Sequence, residues 1–535
     1  MKYIFIALSF LFVHSSIAQN VTNEIIIHKD KPIYFIGDLA AYKAYFPNDI
    51  FEPGTVFNVR LTSSSGALVQ SHFVKVDDNA SIGGYFTLPF SYGADVYQAE
   101  YFVFDETAQK EVSVAHTWIP LYDDLEPQIT TDKAMASTGT DISLSSAVSL
   151  EVEGSENINI GVDATAAAGS ISVQRQQDIP FMSYSKSTYG AKGTYSKRLF
   201  YTGSITDLEG NLLTNRLVAS YQGDSDKHAL MKTDEEGAFF IQFDDFIEER
   251  SIQIIDLGID PVITKIVPAT SGVTETRPTL VFTDGIIDLL KRKKEQRRIN
   301  KYFDVKAKSI AFNKANVNVV EEKPVKKGKA YKVDNTYNFN DYKIFDDLAI
   351  FANEVTQNLF FKERNDKYES NFTVFVTSSN TRDIGKEISL NPFYIIDGKI
   401  TRDADYIGRL GQPLLDKIEL EYDTKKTRPR YSLFGKEGIV RIYSKTGNLP
   451  IPQVELGSLI SIGGLQDEIA LSSHTAGEST APILDDYPFW KSNIDATNMS
   501  VVRPSDRGTY EVIFVSRSTT GSGALSVSKK TISID

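Results

Sequence analysis

The stretch IHKDKPIYFIGDLAAYKAY, residues 27–45, decides how the rest of the chain is read. Its apolar residues come in short runs broken by Pro32, Gly37 and Asp38, and short runs bounded by turn formers are the mark of β-strands. Outward from it, from Glu24 to Phe104, apolar runs alternate with breaks at Gly, Asn, Asp and Pro. The breaks recur about every ten residues, the spacing of a β-sandwich. The fold class that follows is mainly β and multidomain.

A chain of 535 residues is too long for one core and fits roughly three to five domains. Hydrophobic content of 41% and charged content of 24% are those of globular protein. With no Cys at all, disulfides, thiol nucleophiles, zinc–thiolate sites and thioesters are excluded together. A net charge of -13 favours solubility and argues against nucleic acid as a partner. At the N-terminus Lys2 precedes an apolar run from Ile4 to Val13, then Ser16, Ile17 and Ala18, the layout of a cleavable secretory signal over residues 1–18. The run is too short to span a bilayer, which takes roughly 20 residues. The expectation is an exported chain with no integral membrane segment after cleavage, soluble or held peripherally by a partner.

The wording of residues 27–45 resembles the macroglobulin-type domain of bacterial envelope proteins, whose opening reads xxDKxxYxxGExxxFKAY. Asp38 stands where that pattern has Glu. The match continues through Val59 to Val69 around a Ser-Gly turn, then Gly83 to Pro89 and Gly93 to Tyr101. A slack segment rich in Thr, Ser, Asp and Gly follows from Leu125 to Ile142, and Val148 to Val173 alternates as strands of a second sandwich. Gly203 to Asn211 with Thr233 to Ile241 resembles the carboxypeptidase regulatory-like module, a small prealbumin-like sandwich that is a structural appendage.

Residues 284–302 read as a helix carrying Lys291, Arg292, Lys293, Lys294, Arg297 and Arg298, and a Lys-rich segment runs on to Lys332. Two readings stand side by side: a solvated helix with a flexible linker, or a basic patch that meets an acidic partner or anionic headgroups. Leu348, Phe351, Val355 and Leu359 recur at helical spacing, which predicts a helix from Asp346–Asp347 through Phe360–Phe361. Phe372 to Val376 reads as a strand. Leu390 to Ile400 reads as a strand closing in an Asp397–Gly398 turn that suits positive φ.

The order PxxxIDG over Pro392–Gly398, then Ile418–Glu419, then Phe434, Gly435, Gly438 and Ile439 to Gly447 resembles the plug domain of TonB-dependent outer-membrane receptors of the Bacteroidota glycan-importer type. The fold class thereby becomes several β-sandwich domains plus one α+β plug-like domain. A receptor's 22-stranded barrel needs several hundred residues, and the stretch after Gly447 is too short to build one. The expected division is 1–18 signal, 19–124 macroglobulin-like sandwich, 143–197 second β domain and 198–270 carboxypeptidase regulatory-like sandwich. Residues 280–447 follow as basic helix, linker and plug-like domain, and 448–535 as a C-terminal β segment.

No sequence pattern points to catalysis. His28, His72, His116, His228 and His474 stand isolated, and neither metalloprotease pairings nor a nucleophile elbow occur. Catalytic residues, cofactors and metals are expected to be none. The resemblance implies a periplasmic accessory protein that binds an outer-membrane β-barrel channel and occludes or stabilises it. The type 9 secretion translocon, a family that employs a separate plug protein, is one such host. The alternative is a secreted or surface-exposed β-domain binding or adhesion protein.

Overall fold

In the strand Glu24–Lys29, Ile25 and Ile27 point into one core while Ile26 and His28 point into another. Both faces are therefore covered, and a strand covered on both faces reads as a continuous apolar run. The same holds for Leu39–Tyr45, all seven residues of which are buried. The computed structural model describes residues 24–47, 50–124, 148–153, 157–162, 168–189, 193–222, 227–247, 249–256, 265–268, 276–302, 333–376, 386–431, 434–449, 457–466, 489–491, 498–502, 508–517 and 525–534. The protein is mainly β and multidomain, built from many separate sheets.

The first sandwich packs a sheet ordered Tyr184–Thr188, Glu24–Lys29, Leu39–Tyr45, Ser81–Thr87 on a five-stranded sheet. The latter is ordered Tyr34–Phe35, Lys110–Tyr122, Asp95–Asp105, Val56–Thr62, Leu68–Lys75. Phe57, Val59, Tyr101 and Val103 fill the space between them. Gly66 makes the turn after Val56–Thr62 at φ 81°, a conformation that only glycine adopts without cost.

The second β unit is assembled from two segments more than 300 residues apart in the chain. Asn157–Val162 lies between Val148–Glu153 and Asn498–Val502, and Ala168–Arg175 lies between Phe489–Lys491 and Gly508–Arg517, which also pairs with Leu525–Ile534. The third sandwich has sheets ordered Ala238–Phe243, Leu199–Thr206, Lys265–Pro268 and Lys227–Lys232, Leu217–Gln222, Arg250–Asp256, Gly457–Ile462. Segments set apart in the sequence reading are thus interleaved. Tyr184–Thr188, placed there with residues 143–197, completes the first sandwich. The tail placed in 448–535 closes the third sandwich with one strand and the second unit with four. Edge strands need a partner to satisfy their backbone groups, and the returning chain supplies it. The 125–142 segment lies outside the described residues.

The α+β unit has a mixed sheet ordered Asn335–Asn338, Leu415–Glu421, Ile439–Ser444, Phe393–Ile396, Lys399–Thr401. One face carries the helices Leu348–Val355 and Ala404–Gly408 and a three-stranded sheet, Leu359–Arg364, Lys367–Val376 and Lys386–Leu390. The predicted helix through Phe361 is corrected: it stops at Val355, and Leu359 begins a strand. Asp347 caps its start by accepting from the Ile350 N–H at 2.8 Å. Thr356 ends it in extended backbone: its Oγ1 lies 2.9 Å from the Ala352 carbonyl and 2.8 Å from the Leu359 carbonyl, which share its one hydrogen, and it accepts from the Leu359 N–H. Leu359 keeps a place in the core by strand pairing instead.

Candidate functional site

In the α+β unit two turns distant in sequence are knitted into one structure. Asp397 and Gly398 stand at φ 44° and 79° and join Ile396 to Lys399 in a two-residue hairpin, which needs positive φ at both positions. The Asp397 carboxylate reaches across the parallel pair to the strand Ile439–Ser444. It accepts from the Ser444 N–H at 2.9 Å, the Ser444 hydroxyl at 2.5 Å and the Leu449 N–H at 2.8 Å. Ser444 Oγ in turn accepts from the Gly447 N–H at 3.0 Å, with Gly447 at φ 68°. Lys399 Nζ completes the link to Asn448 Oδ1 at 2.8 Å and to the Leu449 carbonyl at 3.1 Å. The spacing between Asp397 and Gly447 thus has a mechanical cause: one charged acceptor satisfies the donors of the other turn.

Gly438 and Gly435 matter for space. Gly438 has φ 80°, and a Cβ there would lie 2.4 Å from the Phe372 ring. At Gly435 a Cβ would lie 2.4 Å from the Thr427 carbonyl oxygen, and the Gly435 carbonyl accepts from the Thr427 hydroxyl at 2.6 Å. Phe434 opens the 3₁₀ turn Phe434–Lys436. Beside these turns lies a buried charge network. Glu421 accepts from Arg441 Nε at 3.0 Å and from the Tyr431 hydroxyl at 2.9 Å, with Arg430 Nη1 at 3.3 Å. In the described structure the set of six residues from Asp397 to Gly447 serves the turns and their packing.

The second face of the mixed sheet is covered too. Phe393, Ile395, Ile400 and Ile439 pack on Ala219, Tyr221 and Ile255 of the third sandwich. Gln253 imitates a strand there: its Nε2 donates to the Ile400 carbonyl at 2.5 Å, and its Oε1 accepts from the Ile400 N–H at 2.6 Å. The unit is consequently fixed to a β scaffold. Residues 339–350 of the unit lie against the 410–414 turn through Phe345 N–H to Gln412 Oε1 (2.6 Å) and Leu348 N–H to the Leu410 carbonyl (2.9 Å). Ile344 is 79% exposed and Leu414 51%, with Asp341 and Asp346 exposed beside them.

The basic helix, Asp284–Tyr302, is split by the fold. Ile286 and Leu289 bury against Ile33, Phe35 and Tyr122 of the first sandwich. Two of the six cations follow them inward. Lys293 Nζ lies 2.8 Å from Asp38 Oδ1, and Arg297 holds the buried Asp124 carboxylate with Nε at 2.5 Å and donates from Nη2 to the Ile36 carbonyl at 2.6 Å. Burial raises the Asp38 pKa, but Lys293 and Lys31 outweigh it and hold the carboxyl well below the usual carboxylate range. Asp38 is the acceptor that receives this helix. Lys291, Lys294 and Arg298 are exposed and Arg292 half-buried. The patch read as one surface is thus partly an internal clasp, because period 3.6 turns positions 293 and 297 onto the face that carries Ile286 and Leu289.

Sequence reasoning missed His28. Its Nδ1 and Nε2 lie 2.7 and 3.0 Å from Ser170 Oγ and Ser172 Oγ of the second β unit, and its ring meets Trp490 edge-on at 4.7 Å. Burial, aided by the charge of Lys29, lowers its pKa to about 3. His72 sits in the first sandwich with Nε2 2.7 Å from the Tyr42 hydroxyl, and burial lowers it likewise to about 3. No signal local to either position marks these contacts. Among the described residues no group of three or more His, Asp or Glu is placed to hold a metal ion, and no helix is long and apolar enough to cross a membrane. His474 lies outside the described residues.

No protein-family model matches the chain, and no curated protein matches it. It is similar to solved structures that include trypsin-activated α2-macroglobulin from Escherichia coli, at 7% identity over 95% of this chain and 41% of that one, with a TM-score of 0.21. A Salmonella α2-macroglobulin is 7% identical over 96% of this chain and 39% of that one, TM-score 0.22. Dimeric latent PorU from Porphyromonas gingivalis is 9% identical over 48% of this chain and 35% of that one, TM-score 0.17. The chain spans less than half the length of each of these.

Proposed function

We propose that this chain is a non-catalytic periplasmic accessory protein that binds an outer-membrane β-barrel channel and occludes or stabilises it. The protein-conducting channel of type 9 secretion is the host we favour. One observation carries this reading. The unit with the knitted Asp397–Gly447 turns is followed by strands that return to the third sandwich and the second β unit, so it is offered, on a fixed β scaffold, to a surface outside the chain. The exposed Ile344 and Leu414 of this unit support a docking role, since exposed apolar patches mark interaction sites.

Affinity purification of the tagged protein from native outer membranes tests the proposal. Recovery of a large β-barrel protein is expected, and Ile344→Glu with Leu414→Glu should abolish that recovery while leaving the protein folded. Release into the culture medium, or digestion by protease added to intact cells, would transfer the protein to the secreted or surface-binding class. Within the basic helix, Lys291, Lys294 and Arg298 are the cations to neutralise. Weaker capture, more so at low salt, assigns them to an acidic rim of the partner.

A further inference from the structure

Among the described residues each sheet of the third sandwich has a strand with an unpaired side at both ends, Lys265–Pro268 and Gly457–Ile462 being two of the four. Lys227–Lys232 ends one sheet and Ala238–Phe243 the other, and a cavity of about 980 Å³ runs beside both. The two edges differ in chemistry. Lys227–Lys232 reads KHALMK and has Lys at each end, the usual protection of an edge. Ala238–Phe243 reads AFFIQF: six residues with no charge, Pro or Gly. A segment of that kind is the sort that recruits another strand. Phe239, Ile241 and Phe243 are spent on the core, whereas Phe240 rests on Phe104 of the first sandwich, ring centroids 4.9 Å apart, and remains 36% exposed.

The length of the edge specifies what fits it. Ala238–Phe243 is six residues long, so an added strand of about six residues, advancing about 3.3 Å per residue, would span it. Charge narrows the choice. Lys110, from the hairpin of the first sandwich, and Lys232 line the cavity and form no ion pair among the described residues. Its acidic groups are already engaged: Glu111 by Arg60, Asp244 by Arg198, and Asp234 by the N–H groups of Glu236 and Ala238.

We infer that the Ala238–Phe243 edge is a docking site for an extended, apolar peptide segment of a partner protein that carries acidic residues, added to the sheet as a further strand. Main-chain hydrogen bonds supply affinity in this mode and alternate side chains supply selectivity. One set faces the core side of the edge and the other faces Phe240, while the two lysines receive the acidic ends.

The test uses the purified full chain and an array of synthetic heptapeptides alternating valine and threonine, with glutamate or lysine at both ends. Hydrogen exchange at saturating peptide should slow over residues 238–243 with the glutamate-ended set. Fluorescence anisotropy should give affinities roughly tenfold weaker for the lysine-ended set and for Lys110→Glu combined with Lys232→Glu. Phe240→Lys should remove the protection, with unchanged exchange over Leu199–Thr206, the strand paired to this edge, as the check that the sandwich stays folded. Unchanged exchange over 238–243 across the whole array overturns the inference, as does protection confined to Lys227–Lys232 or equal binding of both peptide sets. Protection that is present without peptide, disappears on dilution and is lost in Phe240→Lys gives the edge to a second copy of the chain and overturns it too.

Discussion

Acidification should part the first sandwich from the second β unit, and His28 should account for a defined share of the effect. Buried between Ser170, Ser172 and Trp490, it stays neutral in the folded chain down to a pKa of about 3. Once exposed it recovers the ordinary value of about 6.5. Above pH 6.5 both states hold it neutral and the docked state keeps its full stability. As pH falls through 6.5 toward 3 the exposed histidine takes a proton that the buried one refuses, so stability is lost over that window. At pH 5 the loss is about 2 kcal/mol relative to pH 7.5. The assay compares wild type with His28→Gln in urea titrations at both pH values and constant ionic strength. The fluorescence of Trp490, which touches the His28 ring, follows the separation. The wild-type transition should lose about 2 kcal/mol more than the variant between the two pH values. Lys29 and Asp30, whose folded values stand at about 7 and about 6, and His72 are common to both proteins and drop out of the difference. Parallel pH dependences, within about 0.5 kcal/mol, would falsify the claim that His28 is held neutral at this junction.

Other perturbations separate architecture from surface. Arg297→Ala leaves the Asp124 carboxylate, fully buried, without its guanidinium and should cost about 3 kcal/mol, read as faster tryptic cleavage within Asp284–Tyr302. Lys291→Ala, Lys294→Ala and Arg298→Ala should each change stability by less than about 0.5 kcal/mol by the same digestion assay. Gly438→Ala forces a Cβ to within 2.4 Å of the Phe372 ring at φ 80° and should destabilise the α+β unit by roughly 3 kcal/mol or more, measured by hydrogen exchange over Ile439–Ser444. Gln253→Ala removes both hydrogen bonds to the Ile400 backbone. Roughly 2 kcal/mol should be lost from the contact with the third sandwich, with exchange rising at Ile400 while the unit's own core stays protected.

Much of the local structure was legible because its causes are local. Alternation and turn residues marked the strands of residues 24–104, the Asp397–Gly398 pair marked a hairpin by the φ values it tolerates, and the run from Asp284 marked a helix. The helix from Leu348 was legible at its start, but its end depended on Thr356 and on the strand pairing of Leu359 with Phe372. What sequence alone determined is therefore a mainly β chain with turns at stated places and a helix rich in cations. Only the tertiary structure decided which strand closes which sheet, that Ala168–Arg175 waits for Gly508–Arg517, and that Lys293 and Arg297 face inward while Lys291, Lys294 and Arg298 do not. Period and turn chemistry are set by neighbours along the chain. The partner of an edge strand, or of a buried charge, is set by whichever distant group can satisfy it once both are out of water, and nothing at the position itself records which group that is.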